Sequence, residues 1–472
     1  MRRPNQKVVV AVVYVCGMIM NSLDSTIVNV ALATLSREFD VTPAAIESVV
    51  IGYLVSLAIF IPASGWLGDR FGTKRIFLTA LLIFTIASAL CGMAQSLNQL
   101  VAFRVLQGIG GGLLTPVGMA MLYRTFPPKE RVAVGRILMF ALIIGPASGP
   151  ILGGLLIEQL SWRWTFYVNI PVGLAALLFG ILFLDEHREP DAGRFDIPGF
   201  LLAGAGFGLL MFGLSEGPSY GWSEPTILGP VFAGAAILVV FVLFELRVSS
   251  PMVQLRLLGN RLFRSTLLVS FFATMSFIGT LFLVPLYLQE GRGDSPLSSG
   301  LTTFPEAIGV LASTQLVAKL YPRVGPRRLM AFGLTWVAFA ITLLSFIGAD
   351  TSAWLVRGLM FMLGTGMAFI FLPNQAASLA TITREQTGRA TTFMSVQRQL
   401  GAAFGVALLS SVLAGVGLTS VDAAGIESPN VSAYRAAFLT AAVLAVIGAA
   451  FALKVPDTDA ANTMRPKTAA EA

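Results

Sequence analysis

Four ionisable side chains stand inside long apolar runs: Asp24 in "MNSLDSTIVNVAL", Arg104 in "LVAFRVLQGIGGG", Glu306 in "TTFPEAIG", and Arg398. A charge at the centre of a membrane helix costs roughly 2.5–3.5 kcal/mol on insertion scales, and such residues line ion, proton or substrate routes. A carboxylate in a low dielectric holds its proton, and an arginine brought close releases it again. This combination suits proton loading and unloading. Asp24 and Glu306 read as sharing proton and cationic-substrate binding, with Arg104 and Arg398 modulating them, and Asp24 as the proton carrier. A plainer alternative stands beside each reading. Asp24 could only tie its helix in place, Glu306 after Pro305 could cap a first helical turn, and Arg104 could be an anchor.

Enzyme chemistry finds little support. Cys16 and Cys91 both lie in apolar runs, which argues against a disulfide framework or metal cage, and His187 falls in the polar segment "DEHREPDAGRFD". No nucleophile–base pair, metal-spaced cluster or Gly-rich phosphate loop appears. The chain is expected not to be an enzyme and to need no cofactor, a proton gradient supplying the energy.

The elements that must position these charges follow from composition. The 472 residues are 55% hydrophobic and 12% charged, with a mean hydropathy of +0.78. Soluble domains carry about 25% charged residues. Here the charges gather in short clusters between apolar runs of about 20 residues, the length that crosses a bilayer core. Fourteen spans are expected, near 8–35, 45–66, 75–95, 98–123, 133–157, 163–184, 196–215, 226–246, 263–289, 298–320, 327–348, 352–373, 388–415 and 432–454. With both termini in the cytoplasm, 25 of the 32 Lys and Arg fall on the inner side, while 12 acidic residues lie on each side. That bias follows the positive-inside rule. At about 1.5 Å per residue, Asp24 stands ~24 Å from the inner start of its helix and Arg398 ~15 Å from the inner end of its own. Arg104 and Glu306 lie ~9 and ~12 Å inside the outer ends. A single water-filled cavity could hold all four. The net charge of +7 sits in interhelical loops, which gives no reason to expect nucleic acid as a partner.

"RFGTKR" (70–75) recurs as "RVGPRR" (323–328), Arg104 as Arg357, and Gly135–Arg136 as Gly388–Arg389, all at an offset of 253 residues. The expected architecture is therefore all-α: two pseudo-symmetric six-helix bundles at 1–190 and 260–472, with two inserted helices within 191–259. Repeated halves typify secondary transporters, which bind substrate between them. The inserted pair reads as free of embedded charge and packed outside the transport core. In "GPASGPILGG", Gly145, Gly149, Gly153 and Gly154 read as a small-residue face, with Pro146 and Pro150 interrupting the backbone ladder.

Several of these stretches resemble motifs of the major facilitator superfamily. "GWLGDRFGTKR" (65–75) is similar to its loop between helices 2 and 3, and "LVAFRVLQGIGGG" (100–112) to its helix-4 motif. "GPASGPILGG" (145–154) resembles the helix-5 motif of drug:proton antiporters. "LDSTIVNVAL" (23–32) and "WRWTFYVNIPVG" (162–173) resemble the fourteen-helix EmrB/QacA branch. Ala33 departs from the proline usual in that branch, which implies a straighter end to helix 1. The resemblance implies a multidrug efflux antiporter, exchanging amphipathic or cationic drugs for protons by alternating access in the bacterial cytoplasmic membrane, in contact with lipid. Small molecules and protons would be its partners, with a periplasmic adaptor protein as a further candidate. A dedicated exporter of one lipid, siderophore or antibiotic is the alternative on the same fold. The resemblance also implies a gating latch built on Gly65, Gly68, Asp69, Arg70, Gly72 and Arg75. In it, Asp69 would accept from Arg70 or from neighbouring cations and helix ends; the plain alternative is a topogenic basic loop. Met and aromatic residues such as Met18, Tyr53, Phe140, Phe361 and Met394 would suit an adaptable lining.

Overall fold

The computed structural model describes residues 4–41, 43–189, 194–248, 251–348, 350–417, 419–421 and 427–464. A chain surrounded by hydrocarbon must satisfy its backbone internally, and helices do this segment by segment. The first half holds helix 1 (Gln6–Glu38), helix 2 (Pro43–Phe71), helix 3 (Thr73–Met93), helix 4 (Leu97–Thr125), helix 5 (Arg131–Gln159) and helix 6 (Trp164–Phe183). Helix 7 (Ile197–Tyr220) and helix 8 (Pro225–Glu245) follow. Then come helix 9 (Arg261–Leu286), helix 10 (Pro296–Thr303 and Pro305–Val324), helix 11 (Pro326–Leu344), helix 12 (Ala353–Ala377), helix 13 (Thr387–Val416) and helix 14 (Val431–Ala452). Among the described residues, twelve of these helices are long and apolar enough to cross a membrane. A two-stranded antiparallel hairpin, Thr419–Val421 with Glu427–Pro429, joins helices 13 and 14.

Local sequence explains the helix starts. Asn5, Ser96, Asn260, Ser352 and Asn430 each accept a backbone N–H of the first turn that follows, satisfying donors that would otherwise be orphaned. The repeat is also visible as geometry. Gly72 (φ +102°) and Gly325 (φ +83°) hold the tight turns before helices 3 and 11, a conformation other residues rarely adopt. Each following helix start is capped by a carboxylate from beyond the sixth helix of its own half. Glu186 accepts from Lys74 N at 2.9 Å, and Asp457 accepts from Arg327 N at 2.9 Å.

Helices 9–14 close around one buried apolar cluster that includes Leu334, Met360, Leu363 and Phe438. Helices 1–6 share clusters around Phe77, Phe84 and Leu114, and around Ile27, Val49 and Leu100. The first of these runs on into Phe263, Leu379, Ile382 and Met394, near the ends of helices 9, 12 and 13 that carry basic loops. The molecule is therefore closed on its basic-loop face.

Three expectations need correction. The glycine face of helix 5 does pack on helix 1: a Cβ at Gly145 would stand 2.3 Å from Ser22 Oγ, one at Gly149 2.0 Å from Thr26 Oγ1, and one at Gly153 3.0 Å from Ile27. Gly154 meets nothing within 4 Å, because one further residue turns it about 100° away. The side chains of Pro146, Pro150, Phe140 and Ala33 lie outside the described residues; the backbone of helix 1 runs unbroken past Ala33. Second, the inserted hairpin is not free of embedded acid: Asp196, Glu216 and Glu245 are all buried. Their places near helix ends made them look solvated in the sequence. Third, helix 7 is not peripheral. Phe207, Leu210 and Met211 share a buried cluster with Ala58 of helix 2 and Ala407 of helix 13, so the helix rests on both halves.

Gly145→Ala should lower the melting temperature of the purified protein by several degrees, since over-packing costs about 1–3 kcal/mol. Gly154→Ala should leave it within a degree or two; equal effects at the two positions would contradict the packing described.

Candidate functional site

Asp24 is fully buried, and so, at 1% exposure, is Arg104. Arg104 Nη1 donates to Asp24 Oδ2 at 2.5 Å and to Gln107 Oε1 at 2.8 Å, while Nε donates to the Val49 carbonyl at 3.2 Å. Gln107 Nε2 donates to Asp24 Oδ1 at 2.8 Å and to Ser88 Oγ at 3.0 Å. Asn169 Nδ2 reaches the same two oxygens at 3.3 and 3.0 Å. The guanidinium also lies over the Tyr53 ring, 4.2 Å from its centroid, and the Tyr53 hydroxyl donates to Asn21. Residues of helices 1, 2, 3, 4 and 6 thus meet at one ion pair whose oxygens and N–H groups are largely spoken for. Such a pair is costly to break, because either partner left alone is an uncompensated buried charge.

A second cluster lies at the basic-loop face. Asp69, at the end of helix 2, accepts from Arg124 Nη2 of helix 4 at 2.7 Å, and Glu189 stands 3.6 Å from the same nitrogen. Arg70 is exposed; of the partners expected for Asp69, the structure supplies a neighbouring cation, Arg124 on the facing helix. The other side of Asp69 faces the first turn of helix 13, where a Cβ on Gly388 would meet its carboxylate at 2.7 Å. A helix N-terminus favours negative charge. Gly65 of the motif abuts Gly388 and Thr392, and Ser64 hydrogen-bonds Thr392 at 3.1 Å. Gly68 admits Val117 of helix 4. Arg75 stands 3.8 Å from Glu186, and Thr73 N donates to the His187 carbonyl at 2.9 Å. One helix away, Tyr123 Oη donates to the Gln375 carbonyl of helix 12 at 2.7 Å. The contacts of Ser64 and Gly65 with helix 13 and of Tyr123 with helix 12 join the two halves; the others tie the loop within the first half.

The remaining embedded charges do not join Asp24. Glu306 lies in the turn after Phe304, where helix 10 breaks at Pro305, with its backbone against Gly364 of helix 12. No described cation neighbours it. Arg398 of helix 13 lines a small cavity with Met119, Ser270, Asn374, Gln375 and Gln397, and its electrostatic neighbour is Tyr14. The single cavity expected for all four charges therefore resolves into three separate places, because depth along a helix says nothing of which way a side chain faces. Arg357, the repeat partner of Arg104, instead stacks on Trp354 at 4.6 Å. The residue at the repeat offset from Asp24 is Phe277, so the second half offers no carboxylate there to neutralise it.

Both the paired helices and the linked cytoplasm-type loops agree with a match to the family model described as Major Facilitator Superfamily, over residues 14–406 and 266–470. The chain belongs to that superfamily. Among its relatives, the multidrug resistance protein B homolog of Mycobacterium tuberculosis is 35% identical over 406 residues, covering 85% of this chain and 75% of that protein. MdtD of Pectobacterium carotovorum, provisionally named a multidrug resistance protein, is 31% identical over 453 residues, covering 96% and 97%. The human organic anion transporter MFSD10 superposes with a TM-score of 0.69 at 17% identity, over 95% of this chain and all of that one; at that identity the likeness shows the fold alone. The protein is thus a multi-pass membrane protein of a transporter superfamily.

Sequence reasoning did not single out Gln107, Asn169, Ser88 or Arg124. Gln107 and Asn169 carried a usable signal, a neutral amide within an apolar span, three residues after Arg104 in one case and within "FYVNIPVG" in the other. Arg124 looked like an ordinary loop cation. Asp69→Asn should loosen the closed face. Spin labels on cysteines placed at the exposed positions Phe71 and Glu385, in a chain otherwise free of cysteine, should then report a longer, broader distance distribution. An unchanged distribution would remove Asp69 from the latch.

Proposed function

We propose that the protein is a proton-coupled antiporter of the bacterial cytoplasmic membrane, with both termini inside, that exports amphipathic cationic drugs by alternating access between its two six-helix bundles. The names of its relatives support multidrug export, and the Asp69 cluster supplies a contact that must open when the basic-loop face does. The observation that carries the coupling is Glu306. It is an embedded carboxylate at a helix break, with no described cation beside it, so it can exchange a proton or a cationic substrate without dismantling an ion pair. Asp24 is engaged by Arg104, Gln107 and Asn169. Its part in this reading is to hold helix 1 against helices 4 and 6, so that the first half moves as one body, while Glu306 binds the proton. Arg104 acts through Asp24.

The test uses proteoliposomes loaded with a pH-sensitive dye and given rhodamine 123 or ethidium. Wild-type protein should release protons on adding either cation. Glu306→Gln should keep its melting temperature and lose the release by at least tenfold; full release from that variant would sink the assignment. Asp24→Asn should lower melting temperature and transport together, by about 3–5 kcal/mol of stability, and the double variant with Arg104→Gln should recover part of the stability. If Asp24→Asn folds like wild type yet no longer releases protons, the carrier is Asp24.

A further inference from the structure

We propose that the cavity around Arg398 is a subsite for an anionic oxygen group, of carboxylate or sulfonate type, on compounds the protein carries. The inference rests on the export reading and adds a charge class to it. The cavity lies between the halves. Met119 comes from helix 4, Ser270 from helix 9, Asn374 and Gln375 from helix 12, and Gln397 and Arg398 from helix 13. It sits directly above the closed basic-loop face, because Gln375 is also the residue that Tyr123 holds across the seam.

The charge balance points to an anion. Asp24 is committed to Arg104, Glu306 makes no ion pair among the described residues, and the electrostatic neighbour of Arg398 is the Tyr14 phenol of helix 1. The Arg398 guanidinium is half-buried and makes no hydrogen bond or ion pair among the described residues, so its donors are open to a ligand. Its planar fork of donors matches a carboxylate or sulfonate. The neighbouring groups add to this. Gln397 is 8% exposed and Asn374 2% exposed, yet Gln397 Nε2 and Asn374 Oδ1 have no hydrogen-bond partner. Gln397 Nε2 is a donor awaiting an acceptor, and a half-turn of the Asn374 amide presents N–H at the position of its oxygen. Buried polar atoms of this kind call for a partner. Met119 and Phe371 supply apolar wall beside them, as an organic anion requires. The space is narrow in the closed form, so the group enters as the tip of a larger molecule once the seam parts.

The proposal is tested on the detergent-purified full chain by thermal unfolding, with sodium benzoate replacing sodium gluconate at constant ionic strength. Wild type should show a saturable rise in melting temperature with benzoate. Arg398→Gln should show none, and in gluconate it should melt no lower than wild type, because it removes a charge that no described residue neutralises; an arginine with a purely structural role would instead cost stability when removed. Gln397→Leu should need at least threefold more benzoate for half the shift, which keeps the test open if Arg398→Gln fails to assemble. A flat wild-type response, an equal response in Arg398→Gln, or an equal effect of chloride would overturn the proposal. Proton release with rhodamine 123 does not enter this titration, so the two readings fail separately.

Discussion

The contact on which the first half depends is the ion pair of Asp24 and Arg104. A charge deep in an apolar bundle is costly unless a partner and further hydrogen bonds compensate it, and that requirement brings five helices to one point. Gln107 and Asn169 each reach both Asp24 and Ser88, and Asn169 Oδ1 is left without a hydrogen-bond partner. Helix 5 then lies on helix 1 at glycine distance. Among the described residues the second half has no such knot. Phe277 stands where a counterpart of Asp24 would be, Arg357 has moved to a tryptophan, and an apolar cluster fills the middle. Two halves with the same helix order are therefore held together by different physics.

The charges divide by role according to whether they are paired. Asp24 and Arg104 are neutralised by each other, Asp69 by Arg124 and by the start of helix 13, and both pairs fix geometry. Among the described residues Glu306 and Arg398 have no such partners; both sit in the second half, one at a broken helix and one at the seam. In a low-dielectric interior, unneutralised groups are the ones that can respond to a proton, an ion or a ligand.

Much of this was legible in the sequence. Helix positions, the twofold repeat and the glycine face of helix 5 follow from hydropathy and spacing, which the bilayer enforces strictly. The matched turns at Gly72 and Gly325 even show the repeat at the level of a single backbone angle. What sequence could not supply was direction around the helix axis. Asp24, Arg104, Glu306 and Arg398 share a range of depth, but a turn of 100° per residue decides whether they meet. The same blindness hid Arg124 as the partner of Asp69, and it let Asp196, Glu216 and Glu245 pass for solvated helix ends when tertiary packing covers them.

Helix 7 gives the connection between halves a mechanical character of its own. Two bodies joined by a slack cytosolic cord can rock about any axis. Here the cord includes a rod lying at membrane depth, seated on helix 2 of one body and helix 13 of the other. A rod in that position cannot pay out length, and any motion that separated those two helices along their whole height would break its packing on one of them. A roll around the rod is the motion that keeps both contacts. The insertion makes helices 2 and 13 the fulcrum.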